Sequence, residues 1–181
     1  MYAAMRFGLL SVCLLVSFVG TAQSQDLQMT LDWEFVADTV MGGVSEGQVT
    51  WEDAGQIARL TGCVSLDNNG GFVQMAADFT EGRAVFDASR FDGIEIELRG
   101  NGEQYDIRLR TDALNRPWQS FRTEIVAPEN WTTLRVPFGK FEKHRTDAAF
   151  DPARLRRVGI LAIGREFDAD ISVRAFRFYA D

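Results

Sequence analysis

Four arginines and one tryptophan are the residues of this sequence best suited to hold a ligand. The set comprises Arg99, Arg108, Arg110, Trp118 and Arg122. A guanidinium is a rigid fork of hydrogen-bond donors, and an indole is an apolar plate with one polar edge. Gathered on one sheet, these side chains would form a locally basic patch. Such a patch fits carboxylates, sugar hydroxyls or the acidic loop of a partner protein.

A structural role for the same side chains is the alternative. Acidic residues that could pair with these arginines across strands are Glu95, Glu97, Asp106 and Glu124. Opposite charges on neighbouring strands stabilise a sheet. Tryptophan at the entrance of a strand also commonly packs against the core. The sequence leaves the ligand patch and the structural pairs both open.

Few residues are candidates for catalysis or metal binding. The single histidine, His144, lies in the charged run EKHR, which is typical of a solvated face. Cys63 lies in an alternating run, as a small buried residue does. His, Cys and carboxylate spacings match no transition-metal site. We therefore predict a non-catalytic protein without metal or cofactor. A glycosidase or lyase is a distant alternative, because catalytic carboxylates meet in space rather than in sequence.

The stretch DTVMGGVS is a second candidate region, because it sets apolar residues beside two glycines. We expect it to approach the NNGGF stretch closely, with Asp38 and Asn69 hydrogen-bonding the turns. Val40, Met41 and Phe72 would then close one end of the protein over each other. If Met41 is exposed instead, it offers an adaptable contact for a partner protein. Asp38, Met41 and Asn69 are therefore further candidate binding residues.

Apolar residues alternate with polar ones along most of the chain, which predicts strands rather than helices. About nine short strands separated by turn-rich pieces favour an all-β sandwich or jelly roll. A short helical turn is expected near Pro152. The predicted strands include GQVTW, QIARLTGCVSL, GFVQMAA, GIEIELRG, QYDIRLR, WQSFRTEIV, WTTLRVPF, VGILAIG and ISVRAFRFY.

Asn101-Gly102 predicts a tight hairpin, because a two-residue type I′ turn needs positive φ at both positions. That register places Glu97 directly opposite Asp106 on the outer face, where like charges repel. The two carboxylates would hold a cation such as Ca²⁺, or Arg99 and Arg108 would neutralise them in salt bridges.

The amino terminus predicts export. A segment with one positive charge, MYAAMR, precedes an uncharged apolar run and then the small residues of TAQSQ, the layout of a secretory signal peptide. We predict a signal peptide over 1–22 and a single β-sandwich domain over 23–181. The apolar run is shorter than the roughly 20 residues that span a bilayer, so no stable membrane span is expected after signal removal.

Composition limits the partners and the compartment. The chain has 181 residues, of which 46% are hydrophobic and 25% charged, as in a soluble domain with a real core. Loss of Arg6 with the signal changes the net charge from −7 to −8, which argues against nucleic acid as a partner. Only Cys63 then remains, which excludes an internal disulfide and suits a bacterial periplasm.

Two glycine motifs and a series of aromatic residues match a known family. They comprise Trp33, Asp38, Val40, Met41, Gly42, Gly43, Ser45, Gly62, Val64, Asn69, Gly70, Gly71, Phe72, Gly93, Arg99, Gly100, Gly102, Tyr105, Trp118, Phe121, Trp131, Pro137, Phe138 and Phe141. On these residues the chain resembles the complex I intermediate-associated protein 30 family. The resemblance implies a jelly-roll β-sandwich of the galactose-binding or carbohydrate-binding-module type.

The resemblance also implies a function. The best-known members of that family help assemble respiratory complex I on the matrix side, so it implies a non-catalytic binding or chaperone-like assembly factor. An exported relative would not meet that assembly surface, and we expect an envelope protein as its partner. The alternative is a carbohydrate-binding module whose partner is a glycan.

Overall fold

The computed structural model describes residues 26–181, so the predicted signal peptide over 1–22 lies outside the described residues. Twelve strands form in this part of the chain. They are β1 (Leu27–Met29), β2 (Glu34–Ala37), β3 (Glu46–Glu52), β4 (Ile57–Val64), β5 (Phe72–Asp78), β6 (Gly93–Gly100), β7 (Gln104–Thr111), β8 (Ser120–Val126), β9 (Thr132–Pro137), β10 (Glu142–His144), β11 (Leu155–Ile163) and β12 (Phe167–Tyr179).

The strands form two antiparallel sheets of six strands each. Sheet 1 has the order β3-β4-β12-β6-β9, with β1 paired to β12. Sheet 2 has the order β10-β8-β7-β11-β5-β2. This is the predicted all-β sandwich. Short 3₁₀ turns lie between strands at Asp38–Met41, Asp53–Gly55, Asp67–Asn69, Glu81–Arg83, Phe138–Lys140 and Pro152–Arg154.

The core lies between the two sheets and follows from the period-two pattern. Every second residue of β6 is fully buried from sheet 1, at Ile94, Ile96 and Leu98. The same holds for Ile107 and Leu109 of β7 from sheet 2. Both sets belong to one continuous apolar cluster. The intervening residues of each strand point outward, which determines the side chains that can form a site.

The predicted Asn101-Gly102 hairpin is wrong. Strand β6 pairs with β12 and β9 in sheet 1, whereas β7 pairs with β11 and β8 in sheet 2. The turn is therefore an arch between sheets, and the apolar faces of the two strands oppose each other through the core. Gly102 has a φ of 78°, but Asn101 is not one of the described residues with positive φ. The turn therefore lacks the positive φ at both positions that a type I′ turn requires.

Side-chain bonds hold the arch in place. Asn101 Nδ2 donates to the carbonyl of Asp168 at 2.7 Å, and its Oδ1 accepts from the hydroxyl of Tyr105 at 2.9 Å. That hydroxyl also accepts from the backbone N–H of Asp170 at 2.9 Å. Burial raises the pKa of Tyr105 to about 12, so the phenol stays a neutral donor at physiological pH.

Other local predictions have mixed outcomes. The helical turn near Pro152 is confirmed as a 3₁₀ turn that Asp151 caps by accepting from the N–H of Ala153. Strands β1, β2 and β10 were not predicted, because each has only three or four residues, too few for a period-two pattern to stand out. Cys63 was expected in the core but is exposed, because it alternates onto the outer face of β4. In residues 26–181 no helix is long and apolar enough to cross a membrane.

Candidate functional site

A groove of about 1170 Å³ crosses the outer face of sheet 2. Its floor is formed by the outward residues of β7, β8 and β11, among them Arg108, Arg122 and Leu161. Its walls include the loop 112–119 at one side and the Asp38–Met41 turn at the other. We call it the sheet 2 groove. It is larger than the roughly 300–1,000 Å³ of a drug-sized ligand site, which suits an extended ligand.

Four of the predicted arginine-patch residues come together in this groove. Arg108, Arg110, Trp118 and Arg122 all line it, and Trp118 is 48% exposed rather than packed in the core. The alternation of β7 and β8 explains this placement, because residues two apart on paired strands share one face. Met41 lines the groove as well.

Arg99 is the exception in the predicted patch. It lies on β6 in sheet 1, on the other side of the molecule, because the arch separates β6 from β7. Its guanidinium lies 5.0 Å from the ring centroid of Trp131, and that of Arg174 lies 4.5 Å from the same ring. Arg174 in turn forms an ion pair with Glu97 at 2.5 Å. The prediction that Glu97 lies directly opposite Asp106 is wrong, since the two residues are in different sheets, and the alternative of a cation shared between them falls with it.

Arg110 supports a loop rather than presenting a free guanidinium. Its Nη1 donates to the carbonyls of Arg116 at 3.0 Å, Pro117 at 2.7 Å and Gln119 at 2.7 Å. Three carbonyls that converge on one donor group hold the backbone on both sides of Trp118. Arg110 therefore positions Trp118 at the rim of the groove, a role that the sequence alone did not indicate.

Two pairs of arginines oppose each other directly on the groove floor. Arg108 faces Arg122 between β7 and β8, and Arg110 faces Arg157 between β7 and β11. Like charges in directly opposed positions destabilise a sheet. Burial lowers the pKa of Arg110, and the positive charge of Arg157 lowers it further.

Nearby carboxylates relieve this repulsion only in part. Asp106 is buried and accepts from Arg108 at 2.8 Å, while its distance to Arg122 is 3.5 Å. Arg157 pairs with Asp78 at 2.8 Å and also with Glu34. The salt-bridge alternative of the sequence analysis thus holds for Asp106 and Arg108.

A bulge in β11 adds a further cation to the groove. The register with β7 shifts between Leu155 and Arg157, which leaves Arg156 as the extra residue. In a regular strand two consecutive side chains point to opposite faces, but a bulge redirects one of them. Arg156 and Arg157 accordingly both line the groove. Arg156 is exposed.

His144, on the short edge strand β10, lies at the border of the same groove. Burial holds its pKa below the ordinary value, and the positive charges of Arg108 and Arg122 act in the same direction. The imidazole is therefore neutral at physiological pH. The prediction that His144 lies on a solvated face is confirmed only in part, because its side chain is half-buried.

Asp38 explains why the stretch DTVMGGVS contains two glycines and lies close to NNGGF. Its carboxylate is fully buried and accepts from the N–H of Ser45 at 3.0 Å, the hydroxyl of Ser45 at 2.5 Å and the N–H of Gly71 at 2.6 Å. A Cβ at Gly43 or Gly70 would clash with this carboxylate, so glycine is required at both positions. The prediction that Asp38 hydrogen-bonds the turns is confirmed.

The apolar residues of that turn do not close the sandwich as expected. Val40 is 72% exposed and Met41 is 64% exposed, because Asp38 fills the space between the two loops. Asn69 lies in the 3₁₀ turn Asp67–Asn69, but its side chain lies outside what the structure describes. The exposed Met41 corresponds to the second expectation, an adaptable contact surface.

Carboxylates and ligating side chains do not cluster within residues 26–181. No group of three or more His, Cys, Asp or Glu side chains is arranged to hold a metal ion in this part of the chain. The acidic residues that line the groove are Asp78, Asp106 and Glu124. Each is engaged, the first two by arginines and Glu124 by the amide of Gln104 at 2.5 Å.

Solved structures with the same fold include two carbohydrate-binding modules of Clostridium thermocellum. The family 11 module, in complex with a β-1,3-1,4-mixed-linked tetrasaccharide, has a TM-score of 0.68 at 13% identity, over 88% of this chain and 98% of that one. The family 30 module of the cellulosomal cellulase Cel9D-Cel44B has a TM-score of 0.63 at 14% identity, over 87% and 98%. At these identities the likeness concerns the fold, which is the predicted jelly roll.

Sequence comparisons identify the family. No curated protein sequence matches the chain significantly. The family model described as complex I intermediate-associated protein 30 matches residues 21–173, most of the chain. That span includes both the DTVMGGVS turn and the arginines of the sheet 2 groove. The chain therefore belongs to the complex I intermediate-associated protein 30 family.

Proposed function

We propose that this chain is a non-catalytic binding domain of the assembly-factor type, which holds a segment of a protein partner in the sheet 2 groove. The observation that carries the proposal is an open groove with exposed Trp118 and Met41 at its rim and arginines on its floor. Tryptophan, methionine and arginine are the side chains enriched in protein interfaces, and tryptophan and arginine dominate their hot spots.

The rigidity of the groove walls supports the same proposal. Arg110 holds the loop that carries Trp118, and Asp38 holds the turn that carries Met41. A wall that is already ordered loses little conformational entropy when a partner binds. Both rim residues are thus presented in fixed positions at a low cost in binding free energy.

Export is part of this proposal, because 1–22 have the layout of a secretory signal. We infer a partner in the cell envelope. Cross-linking the tagged chain in its native cells, followed by capture and mass spectrometry, identifies that partner. Trp118→Ala should abolish its capture, because the substitution removes the largest exposed apolar side chain at the rim of the groove.

Trp51→Ala is the matched control for this experiment. Trp51 is 45% exposed, close to Trp118, but it lies on the edge strand β3 of sheet 1. The control variant should capture the partner as well as the unmodified chain does. Equal capture by the Trp118 variant, or equal loss in both variants, would overturn the assignment of the groove.

Carbohydrate binding is the second candidate, and the exposed indole of Trp118 favours it. The plate lies beside the polar Gln119 and the guanidinium of Arg116, whose distance to the ring centroid is 6.0 Å. An apolar plate next to hydrogen-bonding groups suits a sugar ring. Titration with a β-1,3-1,4-linked glucan tetrasaccharide tests it, with Trp118 fluorescence as the signal. Saturable quenching in the unmodified chain that is absent from Trp118→Ala would favour the glycan over the protein partner.

A further inference from the structure

The sheet 2 groove carries an excess of positive charge on an acidic protein. Eight arginines line it against three acidic side chains, whereas the whole chain has a net charge of −7. Arg156 lies on the bulge and Arg145 at the end of β10, and both are exposed. Neither has a carboxylate partner within 4 Å among residues 26–181. A concave surface with this balance attracts anions.

The register of the floor strands points to the same chemistry. Arg108 opposes Arg122, and Arg110 opposes Arg157, on three neighbouring strands. Three carboxylates contact these four guanidiniums, namely Asp106, Asp78 and Glu34, and Asp106 lies no closer than 3.5 Å to Arg122. A sheet that arranges like charges in this way gives up stability, and such a local conflict is expected at binding sites. A bound carboxylate next to Arg122 would remove the conflict.

The two sides of the groove are apolar. Trp118 precedes β8 on one side of the β7–β11 pair, while Val40 and Met41 follow β2 on the other. Four strand spacings separate β8 from β2, which is about 19 Å. The register also offsets the start of β8 from the end of β2 by about five residues, or about 17 Å, along the strands. The diagonal is about 25 Å, or about eight residues of extended chain. The surface therefore alternates from apolar through cationic to apolar over the length of a short peptide.

A polypeptide fits this surface better than a polysaccharide. Sugar rings stack on flat aromatic plates, and Trp118 is the one aromatic among the large exposed apolar side chains that line the groove in residues 26–181. The other two, Val40 and Met41, are a branched and a flexible side chain, which suit the apolar side chains of a peptide. The other aromatic ring near that end, Phe72, is half-buried, so Val40 and Met41 form most of the exposed apolar surface there.

We propose that the groove recognises an extended, acidic peptide segment with an apolar residue at each end. Arg122 and Arg156 bind its carboxylates, Trp118 contacts one apolar end, and Val40 and Met41 contact the other. This inference rests on the proposed function, since it names the chemistry of the partner segment. The arginine forks favour carboxylates because both groups are planar and form paired hydrogen bonds.

Fluorescence anisotropy with synthetic peptides tests the inference on the full chain. The probe is a labelled peptide of about ten residues, the length that spans the groove diagonal with a leucine near each end. It has glutamates at its centre, and the control peptide has glutamine in place of every glutamate. We expect at least a tenfold weaker Kd for the control peptide. Affinity for the acidic peptide should also fall as salt rises, since exposed charges are screened.

Two variants locate the site. Arg122→Gln combined with Arg156→Gln should weaken binding of the acidic peptide at least tenfold. Arg99→Gln is the control for location, because it removes a positive charge from the opposite sheet and should leave the Kd unchanged. Circular dichroism and urea unfolding confirm that each variant is folded, so a loss of binding reports on the groove.

The outcomes separate this inference from the proposed function. Equal binding of both peptides overturns the preference for acidic segments. If capture of the partner protein is still lost in Trp118→Ala, the proposed binding function stands without that preference. Tight binding of an oligouronate with no binding of either peptide overturns the inference and the protein-partner proposal together. Loss of binding in Arg99→Gln to the same degree places the site elsewhere and overturns the inference.

Discussion

The outer faces of the two sheets use arginine in opposite ways. On sheet 1, buried Glu95 lies in register between Arg177 of β12 and Arg135 of β9, and accepts from them at 2.6 and 2.8 Å. On sheet 2, arginines face arginines across β7–β8 and β7–β11. Alternating charges stabilise a sheet and repeated ones do not. The difference supports the proposal that the face of sheet 2 binds an anionic ligand, whereas the face of sheet 1 is arranged for stability.

Arg59 is a second example of an arginine on sheet 1 that is paired with carboxylates. Its guanidinium bonds Asp170 at 2.8 Å and Glu52 at 3.1 Å, and these bonds raise its pKa above the ordinary value. Arg110 of sheet 2 has its pKa lowered by burial instead. Burial also acts to lower the pKa of Arg157, which faces Arg110, but hydrogen bonds to Glu34 and Asp78 outweigh it and raise the pKa above the ordinary value. The groove thus holds one arginine that is stabilised as a cation and one that is destabilised, and a bound anion would favour the charged form of Arg110.

The largest effect is expected where the two sheets are joined, at Asp38. Asp38→Asn replaces an acceptor oxygen by an NH₂ that faces the N–H donors of Gly71 and Phe72. We expect a loss of about 3 kcal/mol in the free energy of unfolding, because buried charged hydrogen bonds are lost and donors are left unsatisfied. Urea unfolding at pH 7 measures it, and a loss below about 1 kcal/mol would contradict the assigned role.

The dependence of stability on pH is a second test of the role of Asp38. Burial acts to raise the pKa of Asp38, but hydrogen bonds from Gly71 and Ser45 outweigh it and hold the pKa below the ordinary value. The contribution of Asp38 is therefore complete above about pH 4 and is lost as the pH falls through the lowered pKa. Asp38→Asn should flatten the decline of stability below pH 4 without abolishing it, since the pKa of Glu95 is lowered as well.

The second effect concerns the paired face of sheet 1. Glu95→Gln removes the negative charge between Arg135 and Arg177, which then repel each other. Because Glu95 is only 7% exposed, we expect a loss of about 2 kcal/mol. Thermal and urea unfolding check this value. Raising the salt concentration should reduce the loss only slightly, since buried pairs are weakly screened, and a complete rescue by salt would place the pair at the surface.

The third effect concerns the support of the groove wall. Arg110→Met keeps the length of the side chain but removes the donors to the loop carbonyls of Arg116, Pro117 and Gln119. We expect a loss of about 1–2 kcal/mol and faster amide hydrogen exchange over 112–119. Arg110→Lys is the matched variant, which keeps the charge without the fork. Unchanged exchange in both variants would show that the loop is held by other contacts.

Sequence reasoning predicted the strands and part of the site for a shared reason. The period-two pattern identifies which residues of a strand point outward, so Arg108, Arg110 and Arg122 were placed on one face correctly. It does not identify the sheet to which a strand belongs. A turn containing Asn-Gly serves a hairpin or an arch, and Arg99 was assigned to the wrong face for that reason.

The remaining residues of the groove depend on contacts that are distant in sequence. Arg156 lines the groove because of a bulge opposite β7, and no local pattern in the sequence marks that bulge. Val40 and Met41 are exposed because a buried carboxylate occupies the space that they were expected to fill. In both cases a tertiary contact overrides the local preference for burial or alternation.

The smallest effect is the most direct test of the difference between the faces. Arg122→Gln removes a cation that opposes Arg108 and lies 3.5 Å from Asp106, which keeps its closer bond to Arg108 at 2.8 Å. Relief of the repulsion offsets loss of the weaker pair, so we expect no change or a gain of up to about 0.5 kcal/mol. Arg135→Gln on sheet 1 is the matched charge removal and should lower the free energy of unfolding, because it leaves Glu95 with one partner fewer. Urea unfolding of both variants at low salt resolves the sign. Equal losses in the two variants would mean that the arginines of the groove stabilise the fold as those of sheet 1 do, and that no ligand is needed to account for them.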